Sequence, residues 1–132
     1  MIGTLDDGSE EEQFKYGHFG GFWHLLEVKE INYQHNKKMK PVIKRYNKPI
    51  SVLFELDIMS VSWFFDTSKP IIYPFHLIRK KLITNDVFSG IQVLVKYFFE
   101  GHIMKWIYRL NIDKDNYSEF QLTFKRDLCA PS

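Results

Sequence analysis

Apolar and polar residues alternate along most of this chain with a period of two, the spacing of a strand whose side chains point in turn to a core and to water. Ile50, Val52, Phe54, Leu56 and Ile58 share one parity against Ser51, Glu55 and Asp57. Val61, Trp63 and Phe65 continue the pattern, Asp66-Thr67-Ser68-Lys69-Pro70 has the composition of a turn, and Ile71, Tyr73, Phe75 and Leu77 follow it. Ile91, Val93, Val95, Tyr97 and Phe99 oppose Gln92, Lys96 and Glu100, and Met104, Trp106, Tyr108 and Leu110 oppose Lys105 and Arg109. The last run is the most regular, with Phe120, Leu122 and Phe124 between Glu119, Gln121, Thr123 and Lys125.

Elsewhere the alternation slips. From Phe22 to Tyr33, Leu25 and Leu26 are adjacent and Val28 and Ile31 fall on opposite parities, which predicts a bulge or a change of buried face. Gln34 to Lys40 reads as a turn or loop, and Val42 to Tyr46 as a short edge strand between Pro41 and Asn47-Lys48-Pro49. In the run from Ile71, either both faces are apolar or Pro74 marks a bend at an edge. Leu82-Ile83-Thr84 is a short strand ended by Asn85-Asp86. Ile91 to Glu100 would also satisfy a helical stripe through Leu94, Val95 and Phe98, but its β-branched content and strict alternation favour a strand. Seven or eight closely spaced strands with no convincing helical period predict an all-β fold, a single antiparallel up-and-down β-barrel of about eight strands.

Composition supports that reading and divides the chain. Aromatic residues make up 17 % of the 132 residues, with 12 Phe, 7 Tyr and 3 Trp, and such side chains suit a pleated, half-buried surface. Five of the sixteen acids, Asp6, Asp7, Glu10, Glu11 and Glu12, fall in the first twelve residues with no Lys or Arg among them. Eleven acids and eighteen Lys and Arg remain, so the body carries +7. Residues 1–13 are expected to be a flexible acidic leader, and 14–132 a single barrel domain. Cys129 is the only cysteine, and no apolar stretch has the length of a membrane-spanning helix. The protein is then either intracellular or an exported one whose signal has been removed.

Two ends of the pattern carry a resemblance. Gly21-Phe22-Trp23 resembles the G-x-W signature that opens the first strand of lipocalins and their calycin relatives, and Arg126 is placed like the final-strand arginine that caps that tryptophan. A guanidinium can stack on the flat indole while its donors satisfy strand-end carbonyls. More narrowly, the order is similar to small bacterial lipocalin-like domains of exported lipoproteins. It shares Leu25-Leu26-Glu27-Val28-Lys29, the apolar strand near Val52 to Leu56, Gly90-Ile91, His102-Ile103-Met104-Lys105-Trp106 and the terminal Leu122-Thr123-Phe124-Lys125-Arg126. The resemblance implies a non-enzymatic, exported barrel that binds a small hydrophobic or amphipathic molecule in its lumen, with Gly21, Trp23 and Arg126 as structural residues.

The large inward-facing aromatics Trp63, Phe65, Tyr73, Phe75, Tyr97, Phe99, Trp106 and Tyr108 are then the candidate ligand-binding residues. They line a cavity or fill a core, since an eight-stranded barrel is just wide enough for either. Other chemistry is weaker. Lys37, Lys38, Lys40, Lys44, Arg45 and Lys48 put six cations in twelve residues around Tyr46, a pattern that suits single-stranded nucleic acid but equally an edge guarded by lysines. That same edge near Val42 to Tyr46 could instead pair with a partner strand, as in an interaction module with a filled core. His18, His24, His35, His76 and His102 lack zinc-motif spacing, so no metal or cofactor is expected. Glu55 and Asp57 share a strand face as an acid/base pair or simply as its wet side, and Ser60 and Ser62 lack a nucleophile elbow. Asn116-Tyr117-Ser118 fits a glycosylation acceptor. The expected state is a monomer or weak dimer.

Overall fold

A computed structural model describes residues 18–45, 50–65 and 69–128. The acidic leader, Tyr46, Lys48, most of the turn 66–70 and Cys129 lie outside the described residues. The chain forms strands β1 (Gly21–Gln34), β2 (Lys37–Lys38), β3 (Val42–Arg45), β4 (Ile50–Glu55), β5 (Ser60–Phe65) and β6 (Ile71–Pro74). These are followed by β7 (His76–Ile78), β8 (Lys81–Asn85), β9 (Gln92–Glu100), β10 (Ile103–Asn111) and β11 (Tyr117–Arg126). The sheet order β6-β5-β4-β1-β11-β10-β9-β8-β7 is that of an antiparallel meander whose last strand returns to its first. It makes a nearly closed all-β barrel.

Among the described residues eleven segments replace the expected eight or so, because strands are interrupted. β3 pairs with Glu27–Glu30 of β1 and β4 with Gly21–His24 of the same strand, so both lie along one edge of β1. β6 and β7 are separated by Phe75 alone, and there the chain changes partner from β5 to β8. Pro74 supplies the break, since it has no N–H to continue a ladder. Two hydrogen bonds bridge the change: Phe75 N–H donates to the Met59 carbonyl (3.0 Å) and Thr84 Oγ1 donates to the Pro74 carbonyl (3.0 Å).

The parity slip in β1 is a bulge between Leu25 and Glu27, which leaves Leu26 exposed and returns Val28 to the core. Ile91–Glu100 forms a strand rather than a helix, beginning at Gln92, so Ile91 is 56 % exposed instead of inward. Leu56 and Ile58 also depart from the expected strand. β4 stops at Glu55, and a turn through Met59, whose φ is +51°, leaves Ile58 63 % exposed. Of the turn or loop expected after Gln34, the chain forms a two-residue hairpin turn between β1 and β2. His35 and Asn36 adopt φ of 51° and 62°, the left-handed pair that matches the twist of a strand ribbon and is usually supplied by Asn-Gly.

One contiguous core fills the barrel, with Trp23, Trp63, Trp106, Phe19, Phe75 and Phe124 its largest fully buried side chains. Pairing registers stack the interior in layers: Arg126 beside Trp23, then Phe124 beside Met104, Leu122 beside Trp106 and Phe120 beside Tyr108. The last layer lies six residues from the first along β11, about 20 Å away at strand rise. Among the described residues no helix is long and apolar enough to cross a membrane.

Candidate ligand-binding interior

The two ends of the barrel differ. At one end Arg126 Cζ lies 4.2 Å from the centroid of the Trp23 ring, and its Nη1 and Nη2 donate to the carbonyls of Gly20 (2.7 Å) and His18 (2.6 Å). Trp23 Nε1 donates to the Phe19 carbonyl at 2.8 Å, and Phe19 packs against Phe54, Tyr97 and Phe99 with centroids 4.9–5.3 Å apart. Partial burial pushes the Arg126 guanidinium below its ordinary pKa, which still leaves it charged. Gly21 is demanded by its backbone rather than by space. Its φ is +98°, a conformation that side-chain-bearing residues rarely adopt, whereas a Cβ there would meet Arg126 Nη1 at an ordinary 3.7 Å.

All eight candidate aromatics join the same cluster. Trp63, Phe75, Trp106 and Tyr108 are buried, and Phe65, Tyr73, Tyr97 and Phe99 are half-buried and packed against it. They touch one another closely, Trp63 meeting Trp106 edge to face at 5.9 Å and Trp106 tilting against Phe124 at 4.9 Å. The middle of the lumen is therefore packed with rings. Trp63 Nε1 and Trp106 Nε1 are nevertheless buried donors without a hydrogen-bond acceptor among the described residues. Leaving a donor in that condition costs about 1–3 kcal/mol.

At the other end Val28, Phe120 and Phe88 enclose a cavity of about 180 Å³ with Glu30 and Lys44 at its rim. Phe88 reaches it from the β8–β9 loop, which a buried carboxylate holds in place. Asp86 accepts from Ser89 N (2.8 Å), from Ser89 Oγ (2.7 Å) and from the Tyr108 hydroxyl. The Gly90 N–H donates to the Asp86 carbonyl (2.7 Å) and the Asp86 N–H to the Ile91 carbonyl (2.8 Å). Asp86 appeared in the sequence only as the end of a strand. Its spacing to Ser89 and Gly90 is the signal that identifies such a loop, an Asx-type turn closed by a glycine at φ +77°.

A second polar group was not legible, because its members are far apart in the chain. His24 Nδ1 lies 2.9 Å from Ser51 Oγ and its Nε2 lies 3.0 Å from Asp127 Oδ2, joining β4 to the segment after β11 across β1. The order of groups is that of a serine triad, but the mouth cavity is lined by none of the three. Its evident role is a cross-strand clasp. Glu55 ends β4 while Asp57 falls in the turn that follows, so the two do not share a strand face. In the basic segment Lys37, Lys38, Lys40, Lys44 and Arg45 are all exposed, and Arg45 Nε donates to Glu27 Oε1 at 3.1 Å.

The chain matches no known protein-family model and no curated protein.

Proposed function

We propose that the protein is a lipocalin-like, non-enzymatic barrel that takes a small hydrophobic or amphipathic molecule through its open end. The observation that carries this reading is the contrast between the ends: Trp23, Phe19 and Arg126 plug one, while Val28, Phe88 and Phe120 leave about 180 Å³ at the other. An apolar floor with one carboxylate and one ammonium at the rim suits a molecule with an apolar body and a polar head. The volume is below the ~300 Å³ at which drug-sized pockets begin, so the mouth suits a fragment or the end of a longer chain. Trp106 lies one interior step below Phe120, and its free indole N–H offers a donor to any oxygen that reaches that depth.

Titration with a fluorescent hydrophobe, together with mass spectrometry of organic extracts from the purified protein, tests the reading. A saturable signal is expected, weakened about fivefold in Phe88→Ala, since removing a half-exposed aromatic forfeits about 1 kcal/mol of apolar contact. No bound species and no saturable signal would overturn it.

The exposed lysines of β2, β3 and their link support a second reading, contact with single-stranded nucleic acid. Affinity that falls steeply with salt and weakens on reversal of Lys38, Lys40 and Lys44 would favour it.

A further inference from the structure

The barrel wall splits between β9 and β10. β9 pairs with β10 from Glu100 to Lys96 and with β8 from Val95 to Gln92, so at Lys96 it leaves one neighbour for the other. Beyond Ile107, β10 has ladder partners only on its β11 side, from Tyr108 to Asn111. A cleft of about 410 Å³ opens at this split, lined by Lys81, Leu94, Lys96, Ile107, Tyr108, Arg109 and Glu119. It shares no residue with the mouth cavity.

The charge in the cleft is unbalanced. The register that sets Leu82 opposite Val95 brings Lys81 and Lys96 to adjoining positions on the outer face, and like charges so placed repel. Neither lysine's ammonium group has a hydrogen bond or an ion pair among the described residues. Arg109 adds a third cation, held 4.5 Å over the Tyr117 ring. The one carboxylate of the wall, Glu119, accepts a hydrogen bond from Gln121 Nε2 at 2.9 Å. Between the cations lie Ile107 and Leu94, the latter 58 % exposed. A sheet face on which two lysines adjoin beside uncovered aliphatic side chains gains most from a ligand that neutralises the first and covers the second.

We infer that this cleft binds a soluble amphiphile with an anionic head, a carboxylate or phosphate monoester, its head between Lys81, Lys96 and Arg109 and its aliphatic tail along Leu94 and Ile107. The three cations define the head, and the open edge of β10 supplies backbone groups beside it. The tail must be short, because Leu94 and Ile107 are, among the described residues, the only aliphatic ones lining the cleft.

Decyl phosphate is the probe, with decanol and inorganic phosphate as controls, and backbone chemical-shift perturbation in the full chain as the readout. Decyl phosphate should shift Leu94, Lys96, Ile107 and Arg109 while leaving Val28, Phe88 and Phe120 little changed. Lys81→Gln and Lys96→Gln should each weaken it about two- to fivefold, the range of an exposed charge pair. Leu94→Gln should weaken decyl phosphate and leave inorganic phosphate unaffected. Equal binding of decanol, undiminished binding in the Lys81→Gln/Lys96→Gln double variant, shifts confined to the mouth, or association only with anionic vesicles would each overturn the inference. All three substituted positions are on the outer face, so wild-type-like spectra of the variants separate lost binding from lost fold.

Discussion

Arg126 shows how much one side chain can do when a barrel must be shut. Its guanidinium covers the Trp23 ring and caps two carbonyls, so it joins the start of β1 to the end of β11 with groups that a lysine cannot supply. Arg126→Lys keeps the charge and loses the flat face and the fork. It should lower stability by about 1–2 kcal/mol, the sum of a partly exposed cation–π contact and the two carbonyl bonds. Urea denaturation should show a lower midpoint at an unchanged slope. An unaltered midpoint would mean that the plug is held by Trp23 and Phe19 alone. Gly21, Trp23 and Arg126 could be singled out in the sequence because a family resemblance drew attention to them. Phe19 could not, since nothing in Gly17-His18-Phe19-Gly20 has a period, and its burial depends on rings contributed by β4 and β9.

Strands were more legible than the places where they stop. Alternation is a local property, so Phe120 to Phe124 or Met104 to Tyr108 announces its inward face directly. The breaks are set by partners. Ile58 and Ile91 keep the parity of the strands beside them yet are exposed, because a left-handed Met59 ends one strand and the Asp86–Gly90 loop delays the start of the other. That loop makes the clearest test at the level of an element. Asp86→Ala strips the acceptor from Ser89 and from the buried Tyr108 hydroxyl, and should cost about 1–3 kcal/mol. Amide exchange at residues 87–90 should rise more than in β10 or β11. Uniform loss of protection across the barrel would instead make Asp86 a determinant of the whole fold.

Over the molecule as a whole, sequence pattern conveyed that there is an inside but not how full it is. The same inward aromatics would serve a hollow barrel or a packed one, and the outcome depends on how rings from β5, β10 and β11 interlock across the lumen. Three tryptophans report on that. Trp23, Trp63 and Trp106 are each at most 1 % exposed, so folded-state emission should be blue-shifted and almost immune to iodide. Substantial quenching would point to a lumen open to solvent. The plug has one more consequence. Because Trp23 pairs with Arg126, the first and last described segments leave the barrel side by side at its shut end. Anything attached directly at His18 or Leu128 would hold the protein by its base and turn its mouth outward, and a short linker joining those two positions would allow new termini to be cut into a hairpin turn elsewhere.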